Sequence, residues 1–166
     1  MVDMGCQAGI FAIMASRDFA LERSFPKLRT MPYVLTSPTD PQYNCVAFAV
    51  GDLSQFWYDV NINGYYWPPG ARSADTIEGW KDVFEIHGYR ETIDRSLESE
   101  YEKIAIYASA DGPEHVARQR ASGLWTSKAG KGRDFEHELE WLEGDFYGHV
   151  VKIMKRKCQG GRRVLE

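Results

Sequence analysis

Two residues in this 166-residue chain have the type and setting that nucleophilic acyl chemistry requires, Cys45 and His115. Cys45 opens the compact apolar run Cys-Val-Ala-Phe-Ala-Val, with Asn44 before it and Gly51 after it. Asn44 has N-cap chemistry and Gly51 suits the position after a helix, so the run is predicted as a short buried helix, with a strand as the competing assignment. At the first turn of a helix, free amide donors and the positive end of the dipole favour thiolate over thiol. His115 follows the turn Asp111-Gly112-Pro113 and opens a strand, where its ring could stand at the edge of a sheet facing a packed helix. Such an imidazole can accept the thiol proton and later return it to a leaving amine. The plain alternatives are an inert core cysteine and a structural histidine.

Supporting groups follow from the same chemistry. An oxyanion forming at the attacked carbonyl needs donors, for which the Cys45 amide and the Tyr43 hydroxyl are candidates, although Tyr43 equally suits core packing. The stretch Phe56 to Trp67 is read as an aromatic loop, and Trp57 and Trp67 could line a substrate groove or anchor the loop in the core. Four histidines with scattered acids make no ligand pair at metal spacing, so neither a metal nor another cofactor is predicted. Gly130-Lys131-Gly132-Arg133 lacks the spacing and following helix of a phosphate-binding loop.

The elements that must position these residues change period along the chain. Residues 1–24 read as a helical extension, and prolines 26, 32, 38 and 41 break the next stretch into extended and turn segments. Ser73 has N-cap chemistry before Ile77, Trp80, Val83 and Phe84 at helical spacing, with Gly88 as the stop. Lys103 to Ala108, His115 to Arg120, Leu124 to Lys128 and His149 to Met154 read as strands, while Phe135 to Leu142 suits a helix or a loop over the sheet. Helices first and strands afterwards predict an α+β fold, with N-terminal helices packed on an antiparallel sheet of about four to five strands. One domain is expected over residues 25–157, followed by a flexible basic tail at 158–166.

Composition bounds the function. A chain of this length with 43% hydrophobic and 13% aromatic residues can bury one ordinary core. A net charge of −4 and a pI near 5.6 argue against general affinity for nucleic acid. Lys152, Lys155, Arg156, Lys157, Arg162 and Arg163 reverse the sign locally and are read as a solvated, fraying end. No apolar run reaches the ~20 residues that span a bilayer, so no membrane partner is expected. Cys6, Cys45 and Cys158 are odd in number and irregular in spacing, which suggests neither a disulfide framework nor a zinc site and fits a reducing compartment. Asp3 precedes the apolar stretch Gly9 to Ala15 where a signal peptide would carry Lys or Arg. The expected location is the cytoplasm, or delivery as an effector without a classical signal peptide.

The order of a cysteine-opened helix, a helical insertion, a strand, His-Val-Ala-Arg-Gln at 115–119, a glycine turn and Trp-Thr-Ser-Lys at 125–128 resembles the papain-like superfamily, in its NlpC-type branch of cysteine peptidases and amidases. The chain also looks like a member of an uncharacterised bacterial protein family, through Thr36-Ser37-Pro38, Tyr43-Asn44-Cys45, Tyr66-Trp67-Pro68, Glu102-Lys103-Ile104-Ala105, Trp125-Thr126-Ser127-Lys128, Glu136-His137 and Tyr147-Gly148. The papain-like resemblance implies a third polar group, on the strand after the histidine, that orients the base. If Ser122-Gly123 is a two-residue loop, Thr126 and Lys128 share the face of His115; if the loop holds an odd number, Ser127 does. Offset comparison favours Ser127, and His137 is a second candidate orienter or base. The reading is a cysteine-dependent amidase or peptidase, with deamidation or acyl transfer open to the same machinery. The competing reading is an inactive papain-like domain that binds a protein or peptide. The substrate and the oligomeric state stay open.

Overall fold

A computed structural model describes residues 16–159; the first 15 residues of the extension expected over 1–24, with Cys6, and the tail residues Arg162 and Arg163 lie outside them. The short first helix, α1 (Phe19–Ser24), is capped by Asp18, whose carboxylate accepts from the Ala20 and Leu21 amides. Pro26 starts a 3-10 turn over Pro26–Thr30, and Val34–Leu35 forms the short strand β1. Helix α2 (Cys45–Val50) has the predicted bounds: Asn44 accepts from the Ala47 amide, and Gly51 adopts φ 90°. A two-residue parallel pair, β2 (Phe56–Trp57) with β3 (Tyr65–Tyr66), interrupts the aromatic loop. Helix α3 (Ile77–Ile86) starts one turn later than Ser73 suggests, because the Thr76 hydroxyl takes the Gly79 amide at 3.0 Å.

The remaining strands are β4 (Arg90–Thr92), β5 (Tyr101–Ser109), β6 (Gly112–Gln119), β7 (Trp125–Lys128), β8 (Asp134–His137) and β9 (His149–Lys157). With β1 they form a seven-stranded sheet in the order β1-β8-β7-β6-β5-β9-β4, with every neighbouring pair antiparallel. The fold is α+β, but the sheet exceeds the four to five strands expected. The largest difference is β8, expected as a helix or loop. Its acidic residues find partners across the sheet, Asp134 with the Tyr43 hydroxyl at 2.8 Å and Glu136 with Arg120 at 3.1 Å, while Phe135 and His137 point inward.

Of the basic end, the described residues through Cys158 are not a fraying tail. Lys152 pairs with Glu91, Lys155 with Glu98 and Arg156 with Glu102, all from β9, and Cys158 is buried with its amide bonded to the Glu100 carbonyl.

Strand alternation divides the apolar residues between two cores. Ile104, Ile106, Val116 and Met154 face α2 and α3. Ala105, Tyr107, Ala117, Trp125, Phe135 and Ile153 face the other way, where Leu21, Phe25, Leu28 and Tyr33 cover them. The N-terminal stretch is therefore a working half of the second core, since Leu28 and Tyr33 are at most 1% exposed. Burial of four large side chains at ~1.5–3 kcal/mol each explains why it docks.

Candidate functional site

The β6–β7 hairpin decides which residue accompanies His115. The Gly123 amide bonds the Arg120 carbonyl, and the Arg120 amide bonds the Leu124 carbonyl, so Ala121-Ser122-Gly123 is a three-residue loop with Gly123 at φ 91°. The odd count puts Ser127 on the face of His115 and turns Thr126 and Lys128 to the opposite face. The β7–β8 register pairs Trp125 with His137, which brings His137 to the same face.

These three side chains form one hydrogen-bonded line. Ser127 Oγ is 2.7 Å from His115 Nε2 and 2.7 Å from His137 Nε2, and His137 Nδ1 is 2.9 Å from the Glu138 carbonyl oxygen. A carbonyl only accepts, so His137 carries its proton on Nδ1 and its Nε2 accepts the Ser127 hydroxyl proton. Ser127 Oγ then accepts from His115 Nε2–H, and His115 Nδ1 is left with a lone pair. This assignment follows from the hydrogen-bond network and holds for neutral rings. Both rings are neutral at pH 7: burial pushes His137 down to about 4, against a smaller lift from its bond to Glu138. Burial, and secondarily the charge His137 would carry, holds His115 well below the usual imidazole range.

Cys45 reaches this line through a cavity of about 370 Å³ that it lines together with His115, Glu114 and Tyr147. Cys45 is 9% exposed, and its thiol lies near the main-chain N–H of Val116. Among the described residues it forms no hydrogen bond with His115, whose ring occupies the face of β6 opposite α2. Burial pushes the thiol up to about 11, despite the amides of Val116, Val46 and Cys45 itself, which favour the thiolate. The expectation of a resting thiolate is therefore corrected: in six helical residues the amide donors are outweighed by loss of water. Burial raises the thiol and lowers the imidazole, so both shifts oppose moving the proton from Cys45 to His115 in the resting site. The resting pair is thiol and neutral imidazole.

The other expected site residues are placed elsewhere. Tyr43 does not face the cavity: its hydroxyl donates to Asp134 Oδ2, and its ring carries the Lys128 ammonium 4.6 Å from its centroid. Lys128 is fully buried and bonds the Asp40 and Gly132 carbonyls, so it fastens residues 40–43 to the hairpin between β7 and β8. Trp57 is packed in the first core with its indole N–H on Asp52 at 2.7 Å, and Trp67 donates to the Arg72 carbonyl; neither lines the cavity of Cys45. His87 bonds the Val83 carbonyl at the end of α3, and His149 is exposed. Among the described residues no three His, Cys, Asp or Glu side chains converge as metal ligands.

One wall was missed by residue chemistry. Leu21 and Phe25, from the segment before β1, and Tyr147, from the loop before β9, also line the cavity, and Asp18 reaches Arg133 at 3.7 Å. Tyr147-Gly148 stood out in the sequence as a motif, but nothing local indicates that its ring meets His115.

Fold and site together define an α+β protein whose antiparallel sheet carries a buried imidazole–hydroxyl–imidazole line beside a helix opened by a cysteine. A family model described as a domain of unknown function (DUF7689) matches residues 34–155, and the chain belongs to that family. The matched span contains Cys45, His115, Ser127, His137 and Tyr147, whereas α1 and the turn after it precede it. No similar curated protein and no similar solved structure was found. No helix among the described residues is long and apolar enough to cross a membrane.

Proposed function

We propose that the protein is a cysteine-dependent amidase or peptidase of the papain-like, NlpC-type kind, acting on an amide or peptide carbonyl. The observation that supports this reading is the line His115–Ser127–His137–Glu138, which leaves His115 Nδ1 as a free base in the cavity that Cys45 also lines. Because burial disfavours a resting thiolate, the sulfur attacks as His115 Nδ1 takes its proton, in one general-base step. The imidazolium then protonates the leaving amine, and water releases the acyl group by the reverse sequence. Ser127 and His137 hold the tautomer and orientation of the base, the role an orienting group plays in a catalytic triad. Transfer to an amine, or deamidation of a glutamine side chain, would use the same steps.

An activated ester tests the chemistry without knowledge of the natural substrate. With p-nitrophenyl acetate, the expected result is a burst of nitrophenolate and an acyl group on Cys45 by peptide mass spectrometry. His115→Ala should slow acylation by on the order of 10²–10⁴-fold, the usual contribution of a general base. Equal acylation in that variant would refute the base assignment.

A second reading, a catalytically inactive papain-like domain that binds a protein or peptide, is favoured by the buried, protonated thiol. It predicts no acyl-Cys45 with any activated ester, and a bound peptide that protects Cys45 from alkylation.

A further inference from the structure

We propose that Tyr147 is a positioning residue for His115, its ring clamping the imidazole plane so that the free Nδ1 keeps one direction within the cavity shared with Cys45. The inference rests on the reading of His115 as the base. The two rings are stacked with centroids 4.2 Å apart and an interplanar angle of 1°. Tyr107 approaches His115 less closely, at 5.6 Å and tilted by 51°. The Ser127 bond fixes one ring nitrogen, but a hydrogen bond tolerates a tilt of roughly 30°. A parallel stack does not, because tilting drives one edge of the imidazole into the phenol ring. Together the two contacts restrain His115 both in its plane and out of it.

Tyr147 is itself held by a rigid frame. Gly144 and Gly148 exchange reciprocal main-chain hydrogen bonds of 2.9 and 2.8 Å. Gly148 has φ 70°, and a Cβ there would come within 1.9 Å of the Ala108 carbonyl oxygen, so only glycine lets the loop lie this close to β5. Phe25 packs on Tyr147 at 4.7 Å and Phe146 at 5.1 Å. The Tyr147 hydroxyl makes no hydrogen bond among the described residues, so the ring, not the hydroxyl, determines its placement. Burial raises the hydroxyl well above the usual phenol range, and the charge a Cys45 thiolate would carry, with that of Glu114, acts in the same direction.

Tyr147→Phe and Tyr147→Leu separate ring from hydroxyl. Activated-ester acylation reads function, and long-range ¹H–¹⁵N NMR of the His115 ring reads the clamp without turnover. Tyr147→Phe should stay within about threefold of wild type and keep a ring-current-shifted His115 Hε1 and a single tautomer. Tyr147→Leu should lower kcat on the order of 10–100-fold with KM unchanged, and abolish the Hε1 shift. Tyr147→Met provides the same arm should the leucine variant not fold. Unchanged kcat in Tyr147→Leu, or an equal loss in Tyr147→Phe, overturns the clamp. If the Hε1 shift behaves as expected but wild-type Cys45 never acylates, the enzymatic reading fails while the stack stands.

Discussion

Acid should unfold this protein through two imidazoles that do not titrate at their usual pH. His137 is fully buried and held at about 4, and His115 lies well below 6.5, while in the unfolded chain both return to the ordinary value near 6.5. The unfolded state therefore binds more protons between pH 6.5 and 4. Stability from this source is present above 6.5 and lost as pH falls toward 4. From pH 7 to 5 an unfolded imidazole goes from about one quarter to nearly fully protonated, whereas a group at about 4 is only about one tenth protonated at pH 5. Linkage gives a loss of ~2 kcal/mol for His137, and His115 acts in the same direction, against a usual total of about 5–15 kcal/mol. Asp134, whose carboxyl burial raises, acts in the opposite sense, so the difference between wild type and variant is the cleaner quantity. Urea unfolding at half-unit steps from pH 7 to 5, with the proton uptake taken from the slope, measures it. His137→Gln should lower the uptake at pH 5.5 by about one proton. The same uptake in both proteins would refute the claim that the ring is held neutral by its site.

Ser127→Ala leaves His115 Nε2–H and the His137 Nε2 lone pair without their shared partner, at ~1–3 kcal/mol for each orphaned buried group. In a urea double-mutant cycle with His137→Phe, the two losses should be non-additive; simple additivity would show that the line is not one network. Asn44→Ala removes the cap on the Ala47 amide and two bonds to the main chain of Trp57, for a loss of ~2–4 kcal/mol by denaturant midpoint. Iodoacetamide labelling of free Cys45 should stay slow at pH 7 and rise towards a pH near 11; fast labelling at neutral pH would contradict the neutral resting pair. Asp18→Asn with Arg133→Gln removes the ion pair lining the cavity and should speed that labelling, whereas an unchanged rate would place the barrier in the packing of Leu21 and Phe25.

Local chemistry made part of this protein legible. Asn44 and Gly51 bracket α2 because a side-chain cap and a left-handed residue act over three or four positions, and the bounds agree at both ends. The alternation of β5 follows from period two, so Ile104 and Ile106 share one face by their spacing, whereas the β5–β6 register puts Val116 with them. Charged strands were harder to read. Asp134 and Glu136 in β8, and Lys155 and Arg156 in β9, look like loop or tail residues until Tyr43, Arg120, Glu98 and Glu102 arrive from distant parts of the chain.

The site divides along the same line. The sequence by itself favoured a helix over a strand for the run that Cys45 opens, placed His115 in a strand, and left Ser127 or its neighbours to share the face of His115. Only the tertiary structure decided the rest. Hairpin register set one residue against the next across β6, β7 and β8 and selected Ser127 and His137. The segment before β1 and the loop through Tyr147 line the cavity beside Cys45, and the burial of the thiol, a property of many distant side chains at once, reversed its expected state. Helix position favours the thiolate through a few amides; burial opposes it through the whole surrounding volume, and at Cys45 burial is the larger effect.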